Sequence, residues 1–176
     1  AEFLPLIVAG KRLIALALPE PQAGSDAAAI RTRGDARGDG WVVNGRKTWI
    51  SDADGADYLL TALRTEPGSQ GAQGISMLLI PRNAPGVSMT ALPKIGNNCM
   101  PSWDVGFQDV YAPRAALMGQ EGGGFANLMS TLHFSRASMA STVTGCAQAA
   151  LNAAMQLAKE RRQFGRSIGT FQVIRH

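Results

Sequence analysis

Apolar and polar positions fall into two textures along this chain. Up to about residue 112, short apolar runs alternate with stretches rich in Gly, Pro, Asn and Asp. Runs at 13–18, 41–43, 47–50, 58–63, 75–80, 87–92 and 103–107 have the length and the β-branched and aromatic content of strands. Asp39-Gly40 and Asn44-Gly45 are hairpin dipeptides on either side of Trp41-Val42-Val43, and "EPGSQGAQG" and "RNAPG" are turn-forming. Short strands at this spacing, with no helical period between them, predict an antiparallel barrel or sandwich. After Glu121-Gly122-Gly123-Gly124 the texture changes. From Phe125 to about Arg162 there is no proline and a single glycine, Gly145, while Phe125, Leu128, Met129 and Leu132, then Leu151, Ala154, Met155 and Ala158, recur at helical intervals. Such a helix would be on the order of 55 Å long at 1.5 Å per residue. It is too long to bury its apolar stripe on one small β-domain, so helical partners absent from this sequence are expected.

The predicted class is therefore α+β: an antiparallel β-barrel or sandwich domain at 13–120, then at 121–176 the beginning of a helical domain, its long helix belonging to a truncated four-helix bundle. Residues 1–12 are expected to be the tail of a missing N-terminal helical domain. Gly165 and Gly169 break the long helix, and Phe171 onward starts another. The first residue is Ala, not Met, and the last element runs to His176 with no closing Gly or Pro, which predicts a chain cut at both ends.

Composition narrows the class. With 45% hydrophobic and 17% charged residues the chain is globular, and no apolar run approaches the roughly 18 residues of a membrane span. The Lys11-Arg12 pair lies between two short apolar runs, unlike a secretory signal, so a cytoplasmic location is expected. Cys99 and Cys146 have neither metal spacing nor a disulfide framework and are expected to be buried free thiols. The formal charge of +4 is spread out, and Arg31, Arg33, Arg37, Arg46 and Lys47 are expected on the solvent faces of strands, with no basic stripe for nucleic acid. No metal site is indicated.

One stretch does not behave as a plain strand. In "ALALPEPQAGSDAAAI" (15–30), Pro19 and Pro21 fix φ and remove two donors, so the apolar run must leave sheet pairing there. Ala23-Gly24-Ser25-Asp26 then offers a turn with a flexible backbone beside hydroxyl and carboxylate groups.

"ALPEPQAGSD", "NGRKTWIS", "GISMLLIPRNAPGVS", "VGFQDVYAP", "GQEGGGF" and "RRQFGRSIGTFQ" stand in an order and spacing that resemble the acyl-CoA dehydrogenase family, from about residue 13 to 176. The resemblance implies a flavoenzyme subunit with a middle β-barrel and a C-terminal helical bundle, assembled as a dimer or tetramer. It further implies FAD as cofactor, an acyl-CoA thioester as substrate, and an electron-transferring flavoprotein as electron acceptor. In that family a glutamate removes the α-proton while the β-hydride passes to flavin N5.

By the same resemblance, Trp49 and Ser51, alternating with Ile50, would offer a ring and a hydroxyl to the flavin. Leu16 and Leu18 would pack against it, and Gly24 and Ser25 would reach the pyrophosphate, Ser25 alternatively the pantetheine. Arg161, Gln163, Phe164, Ile168, Phe171 and Gln172 match residues that reach the FAD of a neighbouring subunit, where an arginine fork suits a pyrophosphate. Arg136 matches an arginine beside the pantetheine and thioester. The chain departs from the pattern at Pro19, where the family carries a flavin-bonding threonine, and at Trp103, where it carries small hydroxyl residues. Ser135 stands where some branches place the catalytic glutamate, so the base is expected beyond His176; His133 reads as structural, and Glu20 as serving the turn. Two other readings remain: a flavin-dependent monooxygenase on the same scaffold, and a non-catalytic β-domain that binds an acyl-CoA or a partner protein.

Overall fold

The structure is a computed structural model that describes residues 3–176. The expectation for 1–12 lies partly outside the described residues; within them, α1 (Phe3–Val8) is a short helix. The chain divides into two compact units, Ala1–Leu128 and Met129–His176.

The first unit is a curled seven-stranded sheet built from β1 (Ile14–Ala17), β2 (Arg33–Ala36), β3 (Gly40–Ser51), β4 (Tyr58–Arg64), β5 (Ile75–Pro81), β6 (Val87–Ala91) and β7 (Ser102–Pro113). Its order is β1-β4-β2-β3-β7-β6, with β5 on the other side of β4. The α+β class and the strands read from the sequence are present. Two neighbours are parallel, β1 with β4 over its whole length and β2 with β4 at Arg33 and Arg64, so the sheet is mixed. Local pattern cannot report this, because the chain segments between these strands carry other strands rather than a crossover helix.

The core collects the inward residues of the strands: Trp41, Val43, Ile50, Leu59, Leu63, Leu78, Ile80, Val105 and Val110 are each no more than 1% exposed. Six consecutive residues of β5 are buried, as expected of a strand covered on both faces. Asp39-Gly40 closes the β2–β3 hairpin, with Arg37 N–H donating to the Gly40 carbonyl.

Asn44-Gly45, expected to be a second hairpin, lies instead inside the twelve-residue β3. Opposite Asn44, β7 carries two residues, Gln108 and Asp109, and the Asn44 amide staples this bulge by accepting from Asp109 N–H at 2.9 Å and donating to its carboxylate at 3.0 Å. Gly45 is required there because a Cβ would fall 2.4 Å from Thr32 Oγ1 and 2.7 Å from Thr32 Cα. The turn chemistry is real, but it bends a long strand rather than ending it.

The second unit is dominated by α2, of which the whole element runs Gly124–Glu160 over 37 residues, close to the span predicted. A two-stranded hairpin, β8 (Arg162–Gln163) with β9 (Arg166–Ser167), follows, then α3 (Gln172–Arg175). Much of α2 lies bare, with Phe134, Met139, Val143, Leu151 and Leu157 more than half exposed. No helix among the described residues is long and apolar enough to cross a membrane.

Candidate functional site

β3 carries two irregularities, and the second shapes the site. Between Lys47 and Ile50 the register with β7 slips, so that Thr48 and Trp49 together face Asp104. Simple alternation from Trp41 and Val43 puts Lys47 on the inner face, and would put Trp49 there too. The extra residue reverses the parity: Ile50 is fully buried, while Trp49 is 57% exposed and Ser51 is exposed. Trp49 sits at φ +59°, a left-handed conformation that is a true outlier for a bulky residue. Asp104 accepts the Thr48 hydroxyl and pairs with Arg46, and these interactions hold its carboxyl below the usual range.

Lys47 was expected on a solvent face and is instead fully buried. Its Nζ donates to the Leu18 carbonyl at 3.0 Å and to Glu20 Oε1 at 2.8 Å. Glu20, itself 4% exposed, also accepts from Thr32 N–H at 2.9 Å, Arg31 N–H at 2.7 Å and Gln22 Nε2 at 2.6 Å. Burial works against the Glu20 carboxylate, but the Lys47 charge and the converging donors outweigh it and carry its pKa down to about 2. Burial pushes the Lys47 ammonium down to about 8, with Glu20 opposing that shift. The signal for this pair was present in the sequence, since Lys47 has the same parity along β3 as Trp41 and Val43.

The Pro-rich turn leaves β1 as the prolines require. Leu16 is exposed, whereas Leu18 is buried. Pro19 supplies no N–H, and its carbonyl accepts from Thr48 N–H at 2.9 Å, which lays the turn alongside the β3 bulge. Glu20 and Ala23 exchange both backbone hydrogen bonds at 3.0 Å. Beyond them Gly24, Ser25 and Asp26 are exposed, and their N–H groups and the Ser25 hydroxyl have no partner among the described residues. Behind the turn, the Arg64 guanidinium donates to the Ala28 and Ile30 carbonyls at 2.6 and 2.9 Å, holding the 27–32 segment against β4.

In the first unit Leu16, Leu18, Gly24, Ser25, Trp49 and Ser51 lie on two segments that hydrogen-bond at Pro19 and Thr48; Leu18 is buried and the other five are exposed. Trp103 is half-buried on β7, its indole N–H donating to Asp54 at 2.8 Å in the loop that follows Ser51. In the second unit Arg161, Gln163 and Phe164 are exposed, Ile168 and Phe171 partly buried, and Gln172 exposed. Ile168 N–H donates to the Arg161 carbonyl at 2.9 Å, and the Phe164 and Phe171 rings meet edge to face at 6.2 Å, so these residues form one cluster. Arg136 is exposed on α2, about 37 Å of helix axis from Arg161 at 1.5 Å per residue, and is not part of that cluster. His133 is exposed. Cys99 and Cys146 are free but exposed rather than buried, the first in the loop before β7 and the second on the bare part of α2. Among the described residues no group of His, Cys, Asp and Glu could hold a metal.

A mixed, curled sheet followed by one long helix, with a strained tryptophan presented beside a turn of free amides, defines a β-domain joined to a helical domain. The model of the acyl-CoA dehydrogenase middle domain matches residues 15–110 and that of the acyl-CoA dehydrogenase C-terminal domain matches 122–176. The chain belongs to the acyl-CoA dehydrogenase family.

It is 36% identical over 173 residues to the glutaryl-CoA dehydrogenase of Desulfococcus multivorans, covering 98% of this chain and 44% of that protein. It is 39% identical over 174 residues to a subunit of the caffeyl-CoA reductase–Etf complex of Acetobacterium woodii, covering 98% of this chain and 46% of that protein. The solved butyryl-CoA dehydrogenase of Megasphaera elsdenii superposes with a TM-score of 0.91 at 33% identity, over 99% of this chain and 46% of that one. The chain therefore spans less than half the length of the relatives it matches.

Proposed function

We propose that the complete subunit is an FAD-dependent acyl-CoA dehydrogenase that removes hydrogen from the α and β carbons of an acyl-CoA thioester. The observation that carries the proposal is the pairing of an exposed Trp49 at φ +59° with the adjoining free-amide turn at 24–26. A bulky residue held in that conformation is strained by about 1–3 kcal/mol, and such strain persists where a site requires the presented side chain. The donor set fits the cofactor: an aromatic face and the Ser51 hydroxyl for a planar ring, and three successive N–H groups with the Ser25 hydroxyl for a pyrophosphate. FAD, when bound, supplies the hydride acceptor.

This chain's own part is to bind and orient. Trp49 and Ser51 would flank the ring, Leu16 and Leu18 would close its apolar side, and Gly24 and Ser25 would take the phosphates. Arg161, Gln163, Phe164, Ile168, Phe171 and Gln172 would serve the FAD of a neighbouring copy, and Arg136 the thioester side of the substrate. The proton-abstracting glutamate is placed beyond His176, electrons pass to an electron-transferring flavoprotein, and the working form is a cytoplasmic dimer or tetramer. On this reading 13–120 is the middle domain and 121–176 opens the C-terminal one.

The test is the visible spectrum of the complete subunit, purified without added cofactor, before and after anaerobic addition of a panel of acyl-CoAs. A flavin band bleached by one of them supports the reading and reports the substrate class. A flavin band bleached by none favours the monooxygenase. No flavin after reconstitution with FAD points to the binding domain, and to Pro19 as the lesion.

A further inference from the structure

Lys47 and Glu20 serve neither a ring nor a phosphate, yet among the described residues they are the two charged side chains that are buried, at 0% and 4% exposure. A buried ion pair is poor evidence for stability, because well-packed apolar residues of the same volume often do as well or better. What apolar side chains cannot do is fix three backbone segments in one register. This pair does so. Lys47 Nζ holds the Leu18 carbonyl, and Glu20 holds the amides of Arg31 and Thr32, so both ends of the 18–32 segment are tied to a single point on β3.

That point is the last paired residue before the bulge. Lys47 pairs with Val105, and the register slips immediately after it. Whatever fixes Lys47 fixes where the extra residue is inserted. It thereby decides that Trp49 and Ser51 face outward and Ile50 inward. The turn at 24–26 hangs between the two tethers of Glu20, one through Ala23 and one through Arg31 and Thr32.

We infer that the Glu20–Lys47 pair is a positioning device for the flavin pocket, setting the β3 bulge that presents Trp49 and aligning the 24–26 amides with it. The inference rests on the function proposed above. Glu20 and Lys47 touch no ligand on this account and act only through the segments they hold.

The test uses the complete subunit with Lys47→Met, Glu20→Gln and the double variant. Leu78→Ala, a fully buried core residue, is the control for general destabilisation. The readouts are the FAD dissociation constant, the shape of the flavin absorption band in whatever holoprotein remains, and amide exchange over 18–32 and 47–51. Each single variant is expected to weaken FAD binding by about tenfold or more, and Leu78→Ala by less than about threefold at a similar loss of thermal stability. The double variant should be little worse than either single one, because each single change already breaks the Glu20–Lys47 contact and leaves the other member of the pair buried without it. Faster exchange should be confined to the two tethered segments, with an altered flavin band. Should Lys47→Met fail to fold, Glu20→Gln carries the test, since it keeps an acceptor for one of the amides.

FAD affinity that is unchanged in the single variants, or that falls equally in Leu78→Ala, overturns the inference while leaving the proposed function standing. A wild-type subunit that takes up no flavin overturns both, and is recognised by its failure before any substitution is made.

Discussion

Replacing Gly45 by Ala tests the bulge architecture that underlies the site. Two costs are superimposed at this position. Gly45 has φ +153°, outside the range comfortable for a side chain, which contributes about 1–3 kcal/mol. The new Cβ would also fall 2.4 Å from Thr32 Oγ1 and 2.7 Å from Thr32 Cα, and since the second contact is backbone it cannot be relieved by a rotamer change. Forced repacking of that kind costs about 1–3 kcal/mol more. The expected loss is about 2–6 kcal/mol, a fall in Tm on the order of 10 °C for a unit of this size, read by calorimetry on the complete subunit. Two comparison variants separate the contributions. Gly71→Ala has φ +58° and open space around its Cβ, so it carries only conformational strain. Gly24→Ala has neither strain nor a neighbour within 4 Å and should leave Tm unchanged. The consequence of Gly45→Ala is not confined to stability, because Thr32 N–H is one of the donors to Glu20. A Gly45→Ala protein that melts no lower than Gly71→Ala would refute the close approach of β3 to Thr32, and with it the described bulge.

Two further outcomes follow from the described chemistry. Glu20 has its folded pKa depressed from an ordinary 4.5 to about 2, so its share of stability is complete above pH 4.5 and is lost as pH falls toward 2. Acid titration of unfolding should show Glu20→Gln flattening the curve in that window by at most about 1.4 kcal/mol per pH unit, and an unaltered curve would refute the buried pair. The polypeptide 1–176 alone should bind a hydrophobic dye and self-associate through α2, where Phe134 is 78% and Met139 63% exposed; a monodisperse monomer without dye binding, by light scattering and fluorescence, would contradict it.

The sequence was most legible where one periodicity runs without interruption. The 3.6-residue period and the lack of proline give α2 nearly to its ends, and the apolar run of β5 reads directly as a buried strand. It was least legible where a strand changes parity. Asn44-Gly45 has the composition of a hairpin turn, and only the partner strand, carrying Asp109 to meet the Asn44 amide, makes it a bulge. Lys47 is illegible for a related reason: its charge suggests solvent, and the partner that makes burial tolerable, Glu20, lies 27 positions away across a proline turn. The exposed Cys146 makes the same point for α2, because a thiol among apolar helix residues is buried only where another helix covers it. Parallel pairing of β1 with β4 is a long-range fact with no local signature.

The long helix constrains how the candidate residues of the second unit can be used. Arg136 and Arg161 lie on or just past the same continuous helix, held about 37 Å apart along its axis. Arg161 remains tied to that helix, its N–H donating to the Leu157 carbonyl at 2.8 Å, so no local rearrangement of the following hairpin brings the two guanidinium groups together. The cluster from Arg161 to Gln172 therefore addresses a different location from Arg136. If, as proposed, one set serves the flavin of a neighbouring copy and the other a thioester, a single copy of α2 attends to two pockets, and the flavin pocket draws residues from more than one copy of the chain. Assembly is then a condition of a complete site, and the bare apolar length of α2 between the two arginines, including Met139, Val143, Leu151 and Leu157, is the surface whose covering would hold both ends in place.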